Sequence, residues 1–240
     1  MFSQSFLDEL ATKYQTNPEN VYREYLQHLI LSHLYQQKES NQLYFKGGTA
    51  LRLVQRSPRF SEDLDFDTNL HQISTWESVI ENTLVSLTHE IPLDISESKS
   101  TTGGYLGIFT SSVYNKSIEI KFEISFRLQS ASGIIRVVQN DYLPPYSIYS
   151  VSDSQLVQGK LSALFDRAKP RDFYDLYFLL RANLLTPTDK QQLVKAKELL
   201  KNSIHLNFNT QLKHLLPRSH WMIIKDFKST LSQELERFTR

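Results

Sequence analysis

The run Ile118–Phe126 constrains the fold more than any other part of the sequence. Large apolar residues alternate there with polar ones, so that five isoleucine and phenylalanine side chains fall on one face. This alternation is typical of a β-strand with one buried face. The opposite face carries Glu119, Lys121 and Glu123. The chain is therefore predicted to contain a sheet whose charged face lies opposite a hydrophobic core.

Helical and strand patterns divide the remaining sequence into two parts. Asn17 and Pro18 are typical of a helix cap and first helical position, and apolar spacing predicts a helix from there to about Lys38. Further strands are predicted at residues 64–67, 93–95, 105–109 and 134–138, with a helix at 76–88. Beyond Val151 the pattern is helical. We therefore predict a mixed α/β part over residues 1–150 and a helical domain over residues 151–240.

Composition narrows both the compartment and the chemistry. The chain has no cysteine, which excludes disulfides, thiolate metal sites and cysteine nucleophiles. No apolar run approaches the roughly 18 residues of a membrane span, and the first residues do not resemble a signal peptide. We expect a cytoplasmic protein with no membrane partner. The net charge of +1 provides no global attraction for nucleic acid, so RNA binding would need a local patch.

A short acidic run is the first candidate site. On an extended strand, Asp63, Asp65 and Asp67 would share a face while Leu64 and Phe66 turn into the core. Such carboxylates repel one another, and Mg²⁺ prefers one or two of them together with water and phosphate oxygens. A calcium-binding EF-hand loop begins in the same way, but the sequence lacks its glycine and glutamate at the sixth and twelfth positions. The other interpretation is a solvated acidic strand end.

Gly47 and Gly48 form a second candidate, because they precede a predicted short helix. Glycine allows close approach of the backbone, and the first N–H groups of a helix bind anions such as phosphate. The pair matches neither the Walker A nor the Rossmann pattern, and a simple turn is the alternative interpretation.

A third candidate follows the domain boundary. Lys160 lies in a helical stretch, and after a break at Pro170 the acids Asp172 and Asp175 fall three apart on one helix face. The alternatives are a surface lysine and a helix-start carboxylate paired with Arg167 or Arg171.

Taken together, the three blocks resemble a known family. They read Lys-Gly-Gly-Thr-Ala-Leu from residue 46, Arg-Phe-Ser-Glu-Asp-Leu-Asp-Phe from residue 59, and Lys-Leu-x-Ala-Leu followed by Arg-Asp-x-Tyr-Asp-Leu-Tyr between residues 160 and 177. This arrangement resembles the AbiEii/AbiGii family of nucleotidyltransferase toxins, within the polymerase-β-like superfamily. The resemblance implies an α+β fold: a mixed-sheet nucleotidyltransferase core with flanking helices, followed by a C-terminal helical domain that completes the active site.

The resemblance also implies roles for individual residues. Gly47, Gly48 and Thr49 would hold the nucleotide triphosphate, and Asp63 and Asp65 would bind metal. Glu123 would be the third carboxylate, although Glu119 shares its face. Lys160 would neutralise phosphate charge, and either Asp172 or Asp175 would be the last functional acid.

By the same resemblance, the expected activity is Mg²⁺-dependent nucleotidyl transfer at a two-metal site. The substrate would be a nucleoside triphosphate (NTP), and the acceptor an RNA, with the tRNA 3′ end expected first. A cognate antitoxin would restrain the enzyme. Two alternatives stay open: a same-fold enzyme that modifies a protein or small molecule, and a catalytically inactive member that binds a partner.

Overall fold

The protein divides into two compact units, Met1–Ser152 and Asp153–Arg240. The computed structural model describes residues 2–113, 116–126 and 132–239. The predicted α+β class with a mixed sheet is confirmed. The strands are β1 Tyr44–Lys46, β2 Leu64–Thr68, β3 Asp94–Thr101, β4 Gly104–Val113, β5 Lys116–Phe126, β6 Gly133–Val138 and β7 Tyr146–Val151. The helices of the first unit are α1 Gln4–Lys13, α2 Pro18–Leu34, α3 Gly47–Gln55 and α4 Ile73–Thr88, with a 3₁₀ turn at Ser40–Gln42.

Within the described residues, all these strands form one sheet in the order β3-β4-β5-β2-β1-β7-β6. Strands β2 and β5 are parallel, as are β1 and β7, whereas β1 and β2 are antiparallel. The predicted acidic strand therefore lies at the centre of the sheet, between β1 and β5.

A row of aromatic rings fixes the register at this centre. The ring of Phe66 lies 5.4 Å from Phe45 on β1 and 4.6 Å from Phe122 on β5, and Phe109 on β4 extends the row. All four side chains are buried. A slip of one residue would exchange the two faces of a strand, which would place carboxylates in this aromatic core. Packing on one face thus sets which charged residues stand together on the other.

Helix α2 begins as predicted but ends earlier. The Asn17 side chain accepts a hydrogen bond from the Glu19 N–H, and Pro18 is the first helical residue. The helix ends at Leu34 rather than near Lys38. The Tyr35 hydroxyl bonds the carbonyls of Leu43 and Tyr149, and Glu39 adopts a left-handed conformation that turns the chain towards β1.

The second unit is helical, as predicted for the C-terminal region. Its helices are α5 Asp153–Arg167, α6 Pro170–Arg181, α7 Pro187–Lys190, α8 Leu193–Asn202, α9 Phe208–Leu212, α10 Trp221–Lys225 and α11 Phe227–Thr239, with 3₁₀ turns at Lys213–Leu215 and Arg218–His220. Buried Phe227 contacts Tyr174 and Phe208, which joins α6, α9 and α11. Among the helices of the described residues, none combines the length and apolar character needed to cross a lipid bilayer.

Candidate functional site

Gly47 packs directly against the side chain of Asp65. It follows β1 directly and is the first residue of α3, and its positive φ of 81° favours glycine. A Cβ atom at this position would lie 2.0 Å from Asp65 Oδ2. The first turn of α3 and the Asp65 carboxylate are thus close neighbours, and only a residue without a side chain permits this approach.

The next two residues extend the contact towards Asp63. A Cβ on Gly48 would lie 2.4 Å from the hydroxyl oxygen of Ser61 and 3.0 Å from Arg59 Nη2. The buried Thr49 hydroxyl donates to the carbonyl of Asp63. The Thr49 side chain therefore positions the loop that carries Asp63. The phosphate contact predicted for Thr49 would be made by its backbone N–H.

The sheet register places Glu123 beside Asp65. These two residues are direct partners between parallel strands β2 and β5, and Leu64 pairs with Phe122 one position earlier. Glu119, by contrast, pairs with Thr110 on β4 and is exposed. Side chains opposite each other on neighbouring strands are within reach. Of the two glutamates that the sequence leaves open, Glu123 is the one next to Asp65.

A lysine shares this acidic face. Lys121 Nζ lies 2.7 Å from Glu123 Oε2, and the two side chains are 40% and 44% exposed. The hydrogen bond to Glu123 raises the pKa of Lys121 above its usual value, and the charges of Asp63 and Asp65 act in the same direction. The Lys121 ammonium thus stands where the carboxylates favour positive charge.

The Asp67 carboxylate has a cationic partner on β1. The Asp67 side chain forms an ion pair with Lys46, which also donates to Ser125 Oγ, and both members of the pair are largely buried. Lys46 is the last residue before the glycine pair. Asp67 alternates with buried Phe66, as predicted, but its charge is balanced within the sheet.

In the second unit, Lys160 and Asp175 form a buried ion pair. Lys160 Nζ lies 2.8 Å from Asp175 Oδ2, and the side chains are 9% and 1% exposed. The alternative interpretation of Lys160 as a surface lysine is therefore wrong. Helices α5 and α6 supply one charge each, so the pair also joins these helices.

Asp172 has structural partners of its own. Its carboxylate accepts hydrogen bonds from Arg167, the shortest being 2.7 Å, and from the Lys169 N–H at the start of α6. The side chain is 1% exposed. These contacts match the alternative of a helix-start carboxylate paired with Arg167. The functional role of Asp172 stays a prediction, and Asp175 is the acid that contacts Lys160.

Comparison with known proteins identifies the family. The family described as "Nucleotidyl transferase AbiEii toxin, Type IV TA system" matches residues 29–235. The chain belongs to the AbiEii family. It is a nucleotidyltransferase, and its family acts as the toxin of type IV toxin–antitoxin systems. No curated protein matches it in sequence.

Solved structures share the AbiEii fold of this chain. JHP933 from Helicobacter pylori has a TM-score of 0.69 at 20% identity, and the match covers 93% of each chain. MenT4, a nucleotidyltransferase toxin from Mycobacterium tuberculosis H37Rv, has a TM-score of 0.62 at 15% identity. That match covers 100% of this chain and 90% of MenT4. At these identities the likeness concerns the fold.

The chemistry of the acidic face fits a hard divalent cation. Asp63, Asp65 and Glu123 offer carboxylate oxygens, the ligands that Mg²⁺ prefers, and the ammonium of Lys121 already lies among them. Among the described residues, no three His, Cys, Asp or Glu side chains are arranged as a metal site, and Glu123 binds Lys121 instead. In this AbiEii protein a cation would need ligands from substrate and water in addition.

Sequence reasoning missed several members of this constellation. The approach of Arg59 to Gly48 and the pairing of Lys46 with Asp67 depend on contacts between separate segments. Lys121 lies at the centre of the polar Glu119, Lys121, Glu123 alternation, but only the structure shows that it pairs with Glu123. In the helical unit, the sequence leaves Asp172 and Asp175 as equal candidates, and only the structure shows that Asp175 is the partner of Lys160.

Proposed function

We propose that this AbiEii toxin transfers a nucleotidyl group from an NTP to a hydroxyl of an RNA, with the tRNA 3′ end as the first acceptor to test. The observation that carries the proposal is the packing of Gly47 against Asp65. It places a helix start suited to phosphate beside a carboxylate suited to a cation. The reaction joins the acceptor oxygen to the α-phosphorus, releases pyrophosphate and transfers the hydroxyl proton to solvent or a base.

Magnesium fits the proposal as cofactor. Asp63, Asp65 and Glu123 would hold it, and when bound it would supply charge neutralisation for the attacking and leaving oxygens. The chain itself would bind the triphosphate through the backbone at Gly47, Gly48 and Thr49. Such chemistry depends mainly on position and charge, since the protein makes no covalent intermediate.

Residues of the helical unit have proposed roles as well. We assign Lys160 to the neutralisation of phosphate charge, with Asp175 holding its ammonium in a fixed position. Asp172 would act indirectly, because its contacts to Arg167 and Lys169 stabilise the start of α6. The toxin would act in the cytoplasm, where NTPs and tRNA occur, and an antitoxin would counteract it.

The test is transfer of label from each of the four α-labelled NTPs in the presence of Mg²⁺. Parallel reactions contain total tRNA, total cellular protein, or no acceptor. Label in tRNA that is lost with EDTA and with Asp65→Asn is the expected result. Label in protein or in a small molecule would overturn the RNA acceptor, and no label in any reaction would overturn the catalytic proposal.

A further inference from the structure

The ion pair between Lys121 and Glu123 on β5 is accessible to water. Both side chains are about two-fifths exposed, and exposed ion pairs contribute little to stability. The nearby pair of Lys46 and Asp67 is less exposed, with both side chains less than one-fifth exposed. Of these two pairs on the central strands, the one made by Lys121 should cost less free energy to separate.

The position of Lys121 is set by the sheet. Residues 121 and 123 point to the same face of β5, and β2 runs parallel with Asp65 level with Glu123. Asp63 stands one residue before the Leu64–Phe122 pair, so it lies level with Lys121. One ammonium thus faces the three carboxylates assigned to metal, and it holds the only one of them that β5 supplies.

We propose that Lys121 is a substitutable cation: it occupies the acidic face in the resting enzyme, releases Glu123 to a divalent cation, and then contacts the phosphates of the NTP. This inference rests on the proposed function, since it requires that the face binds a metal ion. It explains why Glu123 is turned towards a lysine within the sheet. It also assigns a phosphate contact to a residue outside the three sequence blocks that define the family resemblance.

The proposal predicts opposite changes in two affinities. Removal of the Lys121 charge should strengthen metal binding in the absence of nucleotide, because a competing cation is lost. The same change should weaken NTP binding, because the triphosphate loses a positive partner. Coulomb's law in a partly hydrated site gives roughly threefold to tenfold for each. A residue with a purely structural role would not move the two affinities in opposite directions.

The experiment measures Mn²⁺ binding to the free enzyme by the electron paramagnetic resonance of unbound Mn²⁺, and the KM and kcat for NTP separately. The variants are Lys121→Met, which keeps the apolar stem, and Lys121→Arg, which keeps the charge. The matched control is Lys99→Met, because Lys99 pairs with Glu97 two residues away on β3, also half-exposed. Circular dichroism checks that each variant is folded.

Expected results are tighter Mn²⁺ binding and a raised KM in Lys121→Met, with both constants near wild type in Lys121→Arg and Lys99→Met. If the wild type binds Mn²⁺ and Lys121→Met binds it no more tightly, the role proposed for Lys121 is overturned. The proposed function is then unaffected. Equal shifts in Lys99→Met would overturn the role of Lys121 too. If the wild type binds no Mn²⁺ with or without NTP, the metal site fails and the inference fails with it.

Discussion

Charged residues assigned to function occur in both units, but the two sets differ in their exposure to water. On the sheet of the first unit, Lys121 and Glu123 are about two-fifths exposed. In the helical unit, Asp172 and Asp175 are 1% exposed, each with a fixed cationic partner. Separating a buried pair leaves an uncompensated charge, whereas separating an exposed pair costs little. Exposure therefore distinguishes the charges on the sheet, which substrate can reach, from those of the helical unit, which also stabilise the fold.

The largest effect is expected at Asp65. The change Asp65→Asn removes a charge without changing shape, so transfer should fall by on the order of 10³-fold, as for loss of a principal electrostatic group. The melting temperature should not fall, because repulsion among the carboxylates decreases. Steady-state transfer assays and thermal melts check both. Asp67→Asn is the control on the same strand face, because Asp67 pairs with Lys46. An equal loss of transfer there would contradict the assignment of Asp65, rather than Asp67, to the metal.

The buried pair of the helical unit is expected to respond in stability. Lys160→Met removes the ammonium that pairs with the buried Asp175 carboxylate, which should cost about 3–5 kcal/mol of unfolding free energy. The double variant Lys160→Met/Asp175→Leu should recover most of that stability and remain inactive. Urea titration and transfer assays measure the two outcomes. An active double variant would show that Lys160 is structural only.

Helix α2 of the first unit also buries a titratable ring, that of His28. Burial lowers the pKa of His28 from 6.5 to about 4, and its ring bonds the Tyr146 hydroxyl. The unfolded chain therefore takes up the proton first as pH falls, so this contribution to stability is complete above pH 6.5 and is lost towards pH 4.

Between pH 7 and pH 5 we expect the wild type to lose about 2 kcal/mol more stability than His28→Gln. Urea titrations of both proteins at the two pH values measure the difference. Parallel pH profiles would show that the ring is not buried in its neutral form.

The smallest effects compare one glycine in each unit. Gly47→Ala should destabilise the protein by about 1–2 kcal/mol, because its φ is positive and the new Cβ meets Asp65. Gly159→Ala should stabilise α5 by about 0.5–1 kcal/mol, because nothing lies within 4 Å of the added Cβ. Thermal melts give the signs, and equal signs would contradict the close packing at Gly47. Transfer activity should fall only in Gly47→Ala.

Much of the fold follows from local patterns in the sequence. The alternation that predicts Ile118–Phe126 extends to Lys116 in β5, and helix α4 begins three residues before the predicted Trp76. Strands β1 and β7 were not predicted. The first has three residues, and the second follows Pro144 and Pro145, so neither presents enough alternation to be recognised. Their strand conformation depends on pairing with neighbouring strands, β1 with β2 and β7, and β7 with β6 and β1.

The residues of the candidate site can be named from the sequence, but their pairings cannot. Sequence spacing puts Glu119 and Glu123 on one face, and only the β2–β5 register separates them. Likewise, Asp172 and Asp175 look equivalent along a helix, but one bonds Arg167 and the other Lys160. Such choices depend on how separate strands and helices meet, which local periodicity does not encode. The metal, the acceptor and the roles of these residues stay predictions.

The central strands also bear on when this enzyme can first work during its synthesis. Phe45 on β1 accepts a hydrogen bond from Ser150, 105 positions later, and Asp65 acquires its neighbour Glu123 only when β5 has formed. Contacts so distant in sequence form late and slowly. A nascent chain on the ribosome would thus lack the neighbour of Asp65 until residue 123 had emerged, and the contact between β1 and β7 until residue 150 had emerged.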